Sequence, residues 1–276
     1  MLRLATTTSK VLAAAALAGS LLAAGGGGGT ARAAATAEGD PEGVRGEGVL
    51  EPIERSWPHD GIFGTFDRAA VQRGFQVYRE VCQGCHALPY VNFYNLIDIG
   101  YSEEQARAIA EEYTVTDGPN DEGEMFERPA RLADEIPPPY PNEAAARAAN
   151  GGAYPPPLSL ITKAREHGAD YLYSLMLGYH EGELADAAPP GQYYNAYYPG
   201  VYIAMPQPLY DGQVEYTDGT EATLPQMAAD VTQFLTWAAE PTMEVRKATG
   251  IKFMLFLIAL SALLYATKRK IWADVH

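Results

Sequence analysis

Cysteine is scarce in this chain: its 276 residues hold two, Cys82 and Cys85. No second Cys-x-x-Cys and no His-x3-His pair stands elsewhere to complete a four-ligand zinc site, so structural zinc is excluded. A disulfide between the two is disfavoured as well, because a three-residue separation on a helix strains the bridge. Basic residues are also few, with 20 Lys and Arg against 35 Asp and Glu and a formal net charge of −15. Such a surface repels nucleic acid and anionic lipid, and it attracts a basic soluble partner in a salt-dependent way. The chain has no convincing β-rich region and no internal repeat of useful length. Apolar content is ordinary, at 47%, and is enough to build a core.

What the two cysteines do is set by their neighbours. Cys82-Gln83-Gly84-Cys85-His86 spends both and places a histidine directly behind the second. That spacing is the attachment signature of a c-type haem. One turn brings both thiols to one side, where they can add to the porphyrin vinyl groups, and the next imidazole becomes the proximal iron ligand. A thioredoxin-like dithiol shares Cys-x-x-Cys, but it needs a βαβ context and gains nothing from the histidine.

Residues 1–35 read as an export leader, with Arg3 and Lys10 ahead of the apolar stretch Val11 to Ala24 and Ala-x-Ala cleavage candidates at Ala31-Arg32-Ala33 and Ala33-Ala34-Ala35. Export suits covalent haem, whose attachment belongs to the oxidising side of a bacterial inner membrane. A second apolar run, Phe253 to Thr267, is uninterrupted by charge. Lys252 can snorkel, Tyr265 can sit at the interface, and Lys268-Arg269-Lys270 should stay on the cytoplasmic side by the positive-inside rule. The expected organisation is a leader at 1–35, a periplasmic cytochrome c domain at 36–240, a membrane anchor helix at 241–270 and a cytoplasmic tail at 271–276.

The spacing of apolar residues predicts an all-α domain whose helices are separated by proline-rich loops. Asp67 caps a helix carrying Val71, Phe75, Tyr78 and Val81 on one stripe, which runs into the haem motif. Ser102 with Gln105 makes a capping box for a helix through Tyr113, and Asn142 opens Glu143 to Asn150. Leu158 to Glu166 and Ala169 to Gly178 read as two short helices broken at Gly168, and Thr223 to Ala239 as a longer one. Pro137-Pro138-Pro139, Pro155-Pro156-Pro157 and the tyrosine-rich run Tyr193 to Tyr202 lie between them as stiff connectors suited to the walls of a haem crevice.

The sixth iron ligand separates an electron carrier from a haem that binds gas or peroxide. Of seven methionines, Met1 leaves with the leader, Met254 lies in the membrane segment, Met176 and Met227 sit on apolar helical faces, Met243 adjoins the membrane helix and Met125 is flanked by acidic loop residues. Met205 remains, beside Pro206 and Pro208, with His180 or His167 as its main rivals.

Beyond the haem motif, the chain reads Arg73-Gly74-Phe75-Gln76-Val77-Tyr78, Asp117-Gly118-Pro119-Asn120, Gly123-Glu124-Met125-Phe126, Pro139-Tyr140-Pro141-Asn142, Ala146-Arg147-Ala148-Ala149-Asn150, Asp170-Tyr171 with Gly178-Tyr179, and Trp237-Ala238-Ala239-Glu240-Pro241. Through these stretches, from Trp57 to Trp272, it resembles the cytochrome c1 family, the haem subunits of the cytochrome bc1 complex. The resemblance implies an all-α c-type cytochrome domain with one C-terminal transmembrane helix. It implies one covalent haem c on Cys82 and Cys85, with His86 and Met205 as axial ligands and Arg147 near the haem edge, where it can pair with propionates. It further implies cytochrome b and Rieske iron-sulfur subunits as partners, a soluble or tethered cytochrome c as acceptor, and a subunit that is not catalytic alone. The family usually reads Pro-Pro-Asp-Leu-Ser where this chain has Pro155-Pro156-Pro157-Leu158-Ser159, so any capping or hydrogen-bonding role of that aspartate is lost. A stand-alone anchored cytochrome, or a haem peroxidase or gas sensor, are the other classes the motif permits.

Overall fold

The computed structural model describes residues 49–274, so the expected leader at 1–35 lies outside the described residues. The domain is built on two crossing helices, α1 (Arg68–Glu80) and α7 (Leu224–Ala239). Asp67 starts α1 as expected, its carboxylate accepting from the N–H groups of Ala69 and Ala70 at 3.0 and 3.2 Å. Thr223 caps α7 by accepting from Gln226 N–H at 3.3 Å, and Pro225 occupies the first turn, where a missing N–H costs nothing.

The two helices touch backbone to backbone. A Cβ on Gly74 would collide with the Asp230 carbonyl and with Phe234, so only glycine permits this approach. Around that point Phe75, Tyr78 and Trp237 surround Phe234 with ring centroids 5.5–5.7 Å away. Arg73 reaches across to the fully buried carboxylate of Asp230 through two nitrogens, at 2.9 and 3.0 Å, and spends a third on Asp218 at 2.8 Å. A carboxylate removed from water is tolerable only with such pairing, and Gln226 donates to both of its oxygens as well.

Between these helices in the chain come a 3-10 helix at Phe93–Ile99, α2 (Glu103–Glu111), α3 (Glu143–Ala149), α4 (Ile161–Ala164), α5 (Gly168–Leu177) and α6 (Glu183–Asp186). The capping box at Ser102 and Gln105 is present in both directions, and Asn142 caps α3 through Ala145 N–H at 2.9 Å. α5 packs on α7.

Two expectations need correcting in detail. The segment Leu158 to Glu166 forms only the single turn of α4. The break after it lies at His167, whose φ of 60° is left-handed, while Gly168, also at positive φ, opens α5. The reversal there demands positive φ at two successive residues, and glycine supplies only one of them. Two short antiparallel ladders were also invisible to periodicity: β1 (Thr114–Asp117) with β2 (Phe126–Pro129), and β3 (Tyr193–Tyr194) with β4 (Tyr202–Ile203). Both are too short to alternate recognisably. Arg128 holds the base of the first hairpin by pairing with Asp117 and with Asp134.

The last helix, α8 (Met243–Ile271), is 29 residues long, roughly 44 Å at about 1.5 Å per residue, against a hydrocarbon core of about 30 Å. Phe253, Leu255, Ile258, Leu263 and Leu264 are exposed, with no cover from the described residues. The final turn carries Lys268, Arg269 and Lys270, and the Lys268 ammonium lies 5.8 Å from the Trp272 ring. At the other end, Glu244 accepts from Phe66 N–H and from Arg68, both at 2.7 Å, fixing the helix to the domain.

His59 sits where the domain meets α8, buried between the Trp57 ring, 5.8 Å away and stacked, and the Phe66 ring. Burial lowers its pKa, with Asp60 opposing and Lys247 reinforcing the shift. The folded protein therefore holds it neutral, while the unfolded chain takes up a proton as pH falls below about 6.5. Stability should accordingly decline below about pH 6.5, by up to about 1.4 kcal/mol per pH unit from this one group, and His59→Gln should flatten that decline. Urea unfolding of both proteins between pH 5 and 7.5 measures the difference in slope.

Candidate functional site

α1 ends at Glu80, and the chain tightens at once into a 3-10 turn, Cys82–Gly84. One acceptor organises it. The Cys82 carbonyl takes the N–H of Cys85 at 3.1 Å and of His86 at 2.9 Å, folding the five-residue motif into a single compact turn. Cys82 is half-buried against the core and Cys85 is exposed; both thiols are free. Burial, followed by the nearby Cys85, pushes the Cys82 thiol up to about 12. A redox dithiol works by depressing the pKa of its attacking thiol, and burial here acts in the opposite direction.

The His86 ring is fixed by a backbone group. Its Nδ1 lies 2.8 Å from the Pro156 carbonyl, which can only accept, so Nδ1 carries the proton and Nε2 keeps its lone pair. Burial lowers the pKa of this imidazole, with the Pro156 bond opposing, and neutral imidazole is the form that binds iron. The flanking backbone is tied down in turn: Tyr78 donates its hydroxyl to the His86 carbonyl at 3.0 Å, and Leu158 N–H donates to Ala87 at 2.9 Å. Tyr78 is fully buried, and desolvation holds its phenol far above the ordinary range.

Two more segments converge on this turn. Tyr113, at the end of α2, donates to the Gln83 side chain at 2.8 Å. Tyr140, in the loop before α3, places its hydroxyl 4.0 Å from the Cys85 sulfur and receives a hydrogen bond from Asn150, the residue that ends α3, at 3.1 Å. Neither Tyr140, Asn150 nor the Pro156 carbonyl was identified from the residue pattern as a supporting group. The one available signal was that all three lie in the stretches carrying the family resemblance or in the proline-rich loop. The proline at position 157 deprives α4 of no cap, because that helix starts at Ile161 behind Leu160. Ser159, two residues on, is buried and accepts from Tyr90 N–H at 3.1 Å.

Met205 follows β4 and packs, half-buried, against the same core that Cys82 joins. Tyr179 donates to its carbonyl at 3.0 Å, which anchors the methionine backbone between Ile203 and the prolines. Of the other sulfurs, Met227 is fully buried in α7 and Met125 is exposed on the hairpin loop. His167 lines a cavity of about 310 Å³ with Trp57, His59 and Met243, at the end of the domain where α8 begins. Arg147 lies exposed on α3, bonded to Glu143 at 2.7–2.8 Å and to the Gly152 carbonyl at 3.0 Å, with its guanidinium 5.6 Å from the Tyr154 ring.

Two thiols and a neutral, oriented imidazole on one turn fit covalent haem. The comparisons with known proteins point to one family. The profile of the Cytochrome C1 family matches residues 57–275. "Cytochrome c1 1, heme protein, mitochondrial" of Arabidopsis thaliana is 51% identical over 222 residues, covering 80% of this chain and 72% of the plant protein. "Cytochrome b-c1 complex catalytic subunit, mitochondrial" of Candida albicans is 50% identical over 82% of this chain and 79% of its own length. "Cytochrome b/c1" of Bradyrhizobium diazoefficiens is 50% identical over 83% of this chain, which spans only 37% of that longer protein.

Tyr78→Phe keeps the ring against Phe234 and deletes only the bond to the His86 carbonyl. It should cost about 1–2 kcal/mol, seen as a lower urea midpoint with an unchanged m-value.

Proposed function

The chain belongs to the cytochrome c1 family, and from that premise we propose that it is the electron-transferring subunit of a quinol:cytochrome c reductase. The observation that carries this reading is the Cys82–His86 turn with its imidazole oriented by the Pro156 carbonyl. A haem c held there supplies one-electron exchange, from a Rieske iron-sulfur subunit to a soluble or tethered cytochrome c.

The chain's own residues have separate tasks. Cys82 and Cys85 would hold a haem through thioethers, His86 would offer its free Nε2 to the iron, and Met205 would supply a thioether, a ligand type that favours the reduced metal. Pro156 and Tyr78 hold the imidazole and its backbone, which would limit reorganisation around a bound iron. Arg147, bonded here to Glu143, would be available to pair with a haem propionate. Asp121, Glu122, Glu124 and Glu127 stand exposed on the first hairpin, and with Glu103, Glu104 and Glu111 they offer a basic acceptor a complementary field. The quinol chemistry belongs to partner subunits, and this chain alone is not an enzyme. α8 anchors it in a bacterial inner membrane, with the domain on the periplasmic side and Lys268-Arg269-Lys270 on the cytoplasmic side.

Purification from membranes in mild detergent should bring down a cytochrome b and an iron-sulfur protein with this chain; recovery of the chain alone would contradict the complex. Within that complex, Met205→Leu should keep the covalent haem, lower its reduction potential and let the reduced protein bind carbon monoxide. Unchanged potential and continued refusal of carbon monoxide would remove Met205 from the iron.

A further inference from the structure

Phe63 is 77% exposed and is the most exposed large apolar side chain among the described residues; its neighbour Ile62 is 67% exposed. They form the tip of a closed turn. Thr65 N–H bonds the Pro58 carbonyl at 3.0 Å, Asp60 N–H bonds the Trp57 carbonyl at 3.0 Å, and Gly64 packs so tightly on the His59 and Asp60 backbone that a Cβ would collide there. Gly61, at φ +68, makes the bend. The turn has one charged residue, Asp60, and its carboxylate is occupied by Trp57 N–H at 2.8 Å. The tip from Gly61 to Gly64 is therefore uncharged.

The position of this tip follows from two ties to α8. Phe66 N–H and Arg68 bind Glu244, and the carbonyls of His59 and Gly64 bind the Lys247 ammonium at 2.6 and 3.1 Å. Moving back along the loop from residue 66 to residue 64, the contact on the helix steps from 244 to 247, toward the apolar run that begins at Phe253. The loop is thus tied to α8 at two successive levels, and residues 61–63 form the tip between the two carbonyls that Lys247 holds. At about 1.5 Å per residue, Lys247 sits roughly 9 Å from Phe253, which is just above a headgroup layer about 5–8 Å thick. Val245, at the same level of α8, is exposed and apolar too.

We propose that the turn from Asp60 to Gly64 is a membrane-interface wedge, with Ile62 and Phe63 inserted at the headgroup and acyl boundary of the bilayer that α8 crosses. Apolar side chains on a loop hydrogen-bonded to a spanning helix are covered by lipid at that depth, as interfacial segments are. A single helix leaves a domain free to tilt and swivel about it. This second point of contact fixes the height and tilt of the domain over the membrane, with the clamp on Lys247 transmitting the constraint.

The proposal rests on α8 spanning the bilayer, and the test separates the two. The haem-bearing full chain is placed in lipid nanodiscs, with and without its partner subunits, carrying a nitroxide on Phe63→Cys or, as a second variant, Ile62→Cys. Leu263→Cys in α8 and Glu104→Cys on α2 serve as references. Power-saturation EPR should find position 63 open to oxygen and shielded from the polar relaxant Ni-EDDA severalfold relative to 104, in both preparations. Ni-EDDA access equal to that at 104 would place the tip in water, and shielding from both reagents in the assembled complex would mean that another subunit covers it; either overturns the wedge while position 263 keeps its lipid signature. Loss of that signature at 263 in the chain alone would instead overturn the spanning helix and the wedge with it.

Discussion

Everything this protein can do with a porphyrin depends on one carbonyl accepting two hydrogen bonds. The Cys82 carbonyl gathers the N–H groups of Cys85 and His86, and that geometry puts both sulfurs and the imidazole on a turn short enough to serve a single ring. A second carbonyl, that of Pro156, decides which imidazole nitrogen keeps its lone pair free. Proline suits that position, since its neighbours in the Pro155–Pro157 run offer no N–H to compete for the acceptor and their restricted φ keeps the loop from relaxing away.

The rest of the domain holds this turn still. α1 delivers the motif, and its own position is set where Gly74 lets it touch the backbone of α7 and where Arg73 neutralises the buried Asp230. Tyrosines from three places, Tyr78, Tyr113 and Tyr140, point their hydroxyls at the carbonyl, side chain or sulfur of successive parts of the turn. A redox centre benefits from such bracing, because atoms that do not move between oxidation states add little to the barrier for transfer.

Much of this was legible in the residues, and the boundary of legibility has a physical reason. Helix starts at Asp67, Ser102, Asn142 and Thr223 announce themselves because a capping side chain is a local device with a recognisable identity. The Cys-x-x-Cys-His motif and the span of α8 are likewise local. The Pro156 carbonyl is not, because it is a backbone group 70 residues from the histidine it orients, and any residue type carries one. The left-handed turn at His167 was misplaced by one residue since glycine next door was the obvious candidate. The short β-ladders escaped because two to four residues cannot establish an alternation. Met205 could be narrowed down by eliminating other methionines, but its anchoring by Tyr179 is a tertiary fact.

The junction with the membrane joins the two halves of the account, since Glu244 and Lys247 on α8 reach the loop that leads directly into α1 and so couple the anchor to the haem turn. The central claim remains the covalent one. Its most direct measurement is the mass of the fully denatured polypeptide, made in a host able to ligate haem c. The account predicts a mass raised by one haem, with the haem peptide containing residues 82–86, and loss of that covalent adduct when Cys82 and Cys85 are both changed to serine. A wild-type chain whose denatured mass carries no haem would contradict it.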